Sequence, residues 1–198
     1  MRKTALVILF LSLVVGATAY FSQRADADCK LNRGWCAGNY RGLTVGQSTF
    51  DDMVRVLGKP LSSGPEADQN EPIIFIWHDY GKIKGDLPGR LGVVTNKQTK
   101  KVVGISIAPD DITKEDAIKY FGKDYQVMGY EFCEGFEDET VGPLYENPKA
   151  TEITNMEYRI RGISISIDYR GRVNEIYYVA EPRGLASKDD CKKKAASK

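Results

Sequence analysis

The chain has one histidine in 198 residues, His78, and that scarcity removes most nucleophilic chemistry. A Ser-His-Asp or Cys-His site would have to use this ring, which sits in Ile76-Trp77-His78-Asp79-Tyr80. No Gly-x-Ser-x-Gly elbow supplies a serine. His78 therefore reads as a strand-face or hydrogen-bonded histidine, and no catalytic residue is assigned. No Cys-x-x-Cys pair exists, so zinc is not expected, and neither is any other metal or cofactor. Charge of one sign is also lacking. Lys and Arg total 28 against 27 Asp and Glu, a net charge of +1. Without residues 1–19 the balance is 26 against 27, because Arg2 and Lys3 go with them. A near-neutral body lacks the basic face of a nucleic-acid binder, so no nucleic-acid partner is expected. No apolar run reaches the roughly 20 residues of a membrane span. The longest, Ala5 to Val15, is interrupted by Ser12.

That short run follows Arg2 and Lys3 and precedes Ala17-Thr18-Ala19, the pattern of a secretory signal peptide over residues 1–19. Cleavage after Ala19 or after Ala27 fits. An uncleaved anchor is the minority reading. Asp28 before Cys29 does not fit a lipoprotein signal, so no lipid anchor is expected. The protein is read as periplasmic or secreted. Four cysteines in an exported chain, Cys29, Cys36, Cys133 and Cys191, imply two disulfides with three pairings open. Cys29–Cys36 with Cys133–Cys191 is the pairing expected. The first closes a small loop and the second ties the tail to the middle of the chain.

What is present in quantity is self-similarity. Thr49-Phe50-Asp51-Asp52-Met53-Val54-Arg55-Val56-Leu57-Gly58-Lys59 is echoed by Thr113-Lys114-Glu115-Asp116-Ala117-Ile118-Lys119-Tyr120-Phe121-Gly122-Lys123. Each copy carries a capping-box spacing, one apolar helical face and a glycine stop. Alternating segments follow each helix. In the first half they are Ile73–Tyr80, Leu91–Thr95 and Lys101–Ala108, with Val103, Ile105 and Ile107 expected on one face and Val102, Gly104 and Ser106 on the other. In the second they are Met156–Arg161, Ile163–Asp168 and Val173–Ala180. Residues 61–72, rich in Ser, Gly, Pro and Asp, read as a loop, as do Gly81–Gly85 and the acidic stretch 131–152. The order suggests an α+β protein of two helix-plus-antiparallel-sheet repeats over 40–108 and 109–182. A disulfide-closed leader segment at 20–39 and a tail at 183–198 flank them.

Gly42-Leu43-Thr44, the ending Val56-Leu57-Gly58-Lys59-Pro60, and Trp77-x-x-Tyr80 resemble the small outer-membrane assembly lipoproteins of the SmpA/OmlA type. The tandem arrangement resembles the β-lactamase-inhibitor-protein-like fold, in which two helix-and-sheet repeats form a concave surface. The resemblance implies a binding face and carries no activity with it.

Function is accordingly read as non-enzymatic. The chain is expected to be a protein-binding or adaptor protein of the cell envelope, either an envelope-assembly factor or an inhibitor of a secreted enzyme. Its partner is expected to be another envelope or secreted protein. Trp77, Tyr80, Tyr169 and Tyr177 are the candidate contact residues, since exposed Tyr and Trp are typical of such surfaces; core packing competes for each of them. Two alternatives stand beside this reading. One is an envelope hydrolase using carboxylates such as Glu134 and Glu137. The other is a purely structural exported domain.

Overall fold

The computed structural model describes residues 34–66, 74–84, 87–132, 144–147, 149–150 and 153–180. The signal-peptide segment, Cys29, Cys133, Cys191, Glu134, Glu137 and the tail lie outside the described residues. In chain order the elements are β1 (Asn39–Tyr40), β2 (Leu43–Thr44), α1 (Phe50–Leu57), β3 (Ser62–Glu66), β4 (Phe75–Ile83), β5 (Gly89–Asn96) and β6 (Val102–Pro109). Then come α2 (Lys114–Phe121), β7 (Gln126–Phe132), β8 (Leu144–Glu146), β9 (Ile153–Tyr158), a 3-10 turn (Arg159–Arg161), β10 (Ile163–Ile167) and β11 (Val173–Tyr178). No described helix is long and apolar enough to cross a membrane.

Both helices start by the same local device. Thr49 accepts from the backbone N–H of Asp52 while the Asp52 carboxylate accepts from the Thr49 N–H, and Thr113 and Asp116 do the same. These bonds hold both carboxyls below their usual range: at Asp52 the main cause is the Thr49 backbone N–H, at Asp116 the Thr113 hydroxyl. Each helix ends at a glycine, Gly58 with φ 85° and Gly122 with φ 89°, a backbone that side chains beyond glycine rarely adopt. A tyrosine hydroxyl from the sheet closes each end: Tyr80 donates to the Gly58 carbonyl at 3.1 Å and Tyr158 to the Gly122 carbonyl at 2.8 Å.

The fold class expected from the sequence is corrected at the level of the sheet. The molecule is largely antiparallel β, and the strands after both helices join one nine-stranded sheet in the order β3-β4-β5-β6-β11-β10-β9-β7-β8. It is not two separate helix-plus-sheet repeats of the β-lactamase-inhibitor-protein type. The reason lies in the pairing of β6 with β11, where Ile107 faces Ile176 and Ile105 faces Tyr178. Two apolar strands that would each leave an open edge bond to one another instead, which removes both edges. One continuous core then covers a single face of the sheet. It takes in Met53 from α1, Ala117 and Phe121 from α2, and Leu91, Val93, Ile105, Ile107, Met156, Ile163, Ile165 and Ile176 from the strands.

Three local expectations also change. The register slips between Val94 and Thr95, so that Thr95 faces Val102. That bulge turns Val102 into the core beside Ile105 and Ile107, and leaves Val103 half-buried outside it. Residues 62–66 form the edge strand β3 despite Gly64 and Pro65; a proline is tolerated where one side of a strand has no neighbour. Gly81–Ile83 continue β4 past a bulge rather than forming a loose connection.

Candidate functional site

The four aromatic candidates do not share a surface. Trp77 lies on the sheet face away from the helices; its indole covers Gly92, where a Cβ would come within 1.9 Å of the ring. Tyr80 points to the opposite face and is spent on the α1 terminus. Tyr169 stands in the β10–β11 turn, 88% exposed, with the Arg170 guanidinium 5.1 Å from its ring centre. Tyr177 lies on the outer face opposite Ser106 and Ser164, its hydroxyl bonded to Glu175. Trp77 and Tyr177 therefore share a face, and the other two do not join them. Cys36 is disulfide-bonded, and the other three cysteines fall outside the described residues.

His78 is buried on the helix side, 5.1 Å from the Phe50 ring. Its Nδ1 pairs with the Ser63 hydroxyl at 2.8 Å and its Nε2 with the Thr95 hydroxyl at 2.9 Å. Burial lowers its pKa, so the ring is neutral at pH 7. Both nitrogens are occupied by hydroxyls, and among the described residues no carboxylate bonds to the ring. The arrangement clamps β3, β4 and β5 together. Ser63 and Thr95 could not be matched to His78 by sequence, since the pairing depends on strand register.

Side chains of a different kind converge at the junction between the two halves. A cavity of about 630 Å³ opens there, on the helix side of the sheet. Its walls come from distant segments, each placed by a local rule. Arg41 and Gly42 are the two residues of the β1–β2 hairpin loop, with φ values of 52° and 88°. A two-residue hairpin favours such backbones, and it sets Arg41 at the cavity mouth. The Arg41 guanidinium lies 5.3 Å from the centre of the Tyr40 ring. The 3-10 turn after β9 supplies Ile160 and Arg161. Arg161 donates to the Phe121 carbonyl at 2.7 Å, capping the C-terminal end of α2. Its guanidinium also covers the rings of Phe121 and Tyr158, at 5.5 and 5.8 Å. The α2 terminus contributes Tyr120 and Phe121, and Lys84 and Tyr178 complete the polar wall.

The back of the cavity is fixed by close backbone packing. Gly38 donates to the Val179 carbonyl at 3.0 Å, and Cys36 to the Arg159 carbonyl at 2.9 Å. Gly162 lies against both: a Cβ there would come within 2.2 Å of the Gly38 nitrogen and 2.4 Å of the Cys36 carbonyl oxygen. Any side chain at position 162 would push the N-terminal segment off the sheet.

The electrostatic character is one-sided. Arg41, Lys84 and Arg161 line the cavity, and among its described lining residues there is no Asp, Glu, His, Cys or Ser. Burial raises the pKa of both the Tyr40 and the Tyr178 phenols, so each stays a hydroxyl donor at neutral pH. Such a lining can hold an oxygen anion against ring faces. The rim is apolar and accessible, with Ile160 74% and Tyr120 49% exposed. None of these residues except the aromatic pair Tyr120-Phe121 at a helix end stands out in the sequence. Among the described residues no group of three His, Cys, Asp or Glu could hold a metal ion.

No protein-family model matches the chain, and no curated protein does. Among solved structures, the crystal structure of YjgB, a DUF4309 family protein from Bacillus subtilis subsp. subtilis str. 168, is similar with a TM-score of 0.40. It is 14% identical, and the match covers 76% of this chain and 90% of that one. At that distance the likeness identifies neither a fold family nor a function.

Proposed function

We propose that the chain is a non-enzymatic binding protein of the cell envelope, and that it engages another envelope or secreted protein through the cavity at the junction of its halves. The observation that carries this reading is the combination of Tyr, Phe and Arg walls with an exposed apolar rim. Tyr and Arg are enriched among the residues that dominate binding energy, above all where a pocket excludes water around them. The exported setting rests on residues 1–19 and on the four cysteines. Assembly factor and enzyme inhibitor are the two forms this role takes.

A photo-cross-linking amino acid placed at Ile160, at Tyr169 or at Trp77 tests the site. The protein is exported from living cells and irradiated. A discrete adduct from position 160, with none from 169 or 77, is the expected result. Adducts from 77 or 169 alone would move the contact surface to the outer face or to the β10–β11 turn.

A further inference from the structure

Four of the described arginines, Arg55, Arg90, Arg159 and Arg172, form ion pairs with described carboxylates. Arg41, Arg161 and Arg170 do not; Arg170 stands in the β10–β11 turn, while Arg41 and Arg161 line the cavity, as does Lys84. Three cations are thus gathered round one concavity with no carboxylate among its described lining residues. Like charges brought together without counter-charge repel one another, and an incoming anion relieves that repulsion. The two guanidiniums are held against rings, Arg41 on Tyr40 and Arg161 on Phe121, so less freedom is lost when they donate. Arg161 spends a bond on the Phe121 carbonyl, but a guanidinium has five N–H donors, which leaves capacity for a carboxylate.

Charge alone would suit phosphate, a nucleic acid or an acidic peptide. The rim separates them. Ile160 and Tyr120 present exposed apolar surface at the mouth, which a small hydrated ion would leave uncovered. A polynucleotide would need a basic surface well beyond this cavity, and the chain as a whole is near neutral. A volume of about 630 Å³ falls within the roughly 300–1,000 Å³ of small-molecule and cofactor pockets, enough for a few side chains. We propose that the cavity receives an acidic peptide segment of the partner, its carboxylates on Arg41, Lys84 and Arg161 and a neighbouring apolar side chain on Ile160 and Tyr120. This rests on the binding reading above and names the chemistry of what is bound.

The test uses the full-length exported protein, immobilised, and a random displayed-peptide library. Enriched peptides are expected to carry Asp or Glu beside an aliphatic or aromatic residue. The tightest is then synthesised with a fluorescent label and titrated by anisotropy. Arg41→Gln and Lys84→Gln, both at exposed positions, are each expected to weaken it about tenfold, the loss of a charge-assisted hydrogen bond. Arg170→Gln, at the distant turn, is expected to leave binding unchanged. Affinity should fall as salt is added. The proposal is overturned if enriched peptides are neutral or basic, if none is enriched, or if acidic ones bind both variants as tightly as wild type. Displacement of the peptide by inorganic phosphate at equal concentration would also overturn it, in favour of a simple oxyanion site. A position-160 adduct obtained alongside any of these failures would leave the binding reading standing without its acidic ligand.

Discussion

The two halves of the molecule begin alike and diverge where the helices end. Both helices have a threonine cap reinforced by an aspartate, a glycine stop and a tyrosine hydroxyl on the final carbonyl. Counting from the caps, Met53 of α1 corresponds to Ala117 of α2, and Leu57 corresponds to Phe121. All four pack into the same core. A large residue with a medium one on α1 is exchanged for a small residue with a large one on α2. The last exposed position changes in the same direction, from Val56 to Tyr120. That exchange puts two aromatic rings at the α2 terminus, where the 3-10 turn brings Arg161 over them and the N-terminal segment brings Tyr40 and Arg41. The lesson is that the helix device is common to both halves, while the cavity depends on what the second half adds to it.

Gly162→Ala is expected to have the largest effect. The position has φ 61°, and a methyl group would meet the backbone of Gly38 and Cys36. Backbone cannot swing aside as a side-chain tip can. A loss above about 3 kcal/mol in urea unfolding is expected, with release of the N-terminal segment seen as faster proteolysis before Tyr40. A loss below about 1 kcal/mol would mean that the segment does not pack as described.

The exchanged core positions come next. Met53→Ala should remove about 2–5 kcal/mol by opening a cavity under α1. The mirrored Ala117→Met should overpack α2 and remove about 1–3 kcal/mol. If Ala117→Met is tolerated without loss, the compensating volumes of Ala117 and Phe121 are not the explanation.

Smaller effects are expected at the shared stops. A Cβ on Gly58 or Gly122 would meet nothing within 4 Å, so Gly58→Ala and Gly122→Ala test backbone strain alone. Each should remove about 1–3 kcal/mol, and the two values should agree within about 0.5 kcal/mol. Unequal values would show that the two termini are not under the same constraint.

The smallest effect is a difference in pH dependence. His78 in the first half has a lowered pKa through burial. As pH falls below the unfolded value of about 6.5, the unfolded chain takes up a proton that the folded ring resists, so stability drops. Glu157 in the second half is also buried, beside Arg159 at 2.7 Å, with the Tyr130 hydroxyl bonded to it. Burial raises its pKa, and Arg159 opposes the rise. A raised carboxyl acts with the opposite sign: its contribution is full below the unfolded value of 4.5 and is lost as pH rises through the folded value. His78→Gln should flatten the decline below pH ~6.5, and Glu157→Gln should steepen the net acid loss. The check is unfolding free energy as a function of pH for each variant.

The local features were open to sequence reading because they are set by residues close together. Thr49, Asp52 and Gly58 specify α1 within one stretch, and Ile163, Ile165 and Ile167 specify the inward face of β10 by alternation. The continuous sheet was not legible. It depends on Ile105 and Ile107 meeting Tyr178 and Ile176, a choice between strands that alternation leaves open. The edge strands β3 and β8 were hidden, the first by Ser, Gly and Pro and the second by an acidic context, because edge strands need little apolar burial. The Val102 bulge shifted one face assignment for the same reason: register is not a property of one strand. The cavity was the least visible. Its cations come from a hairpin tip, a strand end and a 3-10 turn, and only the folded chain brings them together.

Hydrogen exchange on the full-length protein, with and without any partner captured by cross-linking at position 160, tests the cavity as binding site most directly. Slowed exchange is expected at residues 39–42, 84 and 159–162, with little change along the outer-facing positions of β5, β6 and β11. Protection confined to the strands around Trp77 and Tyr177, with the hairpin tip and the 3-10 turn exchanging as before, would contradict it.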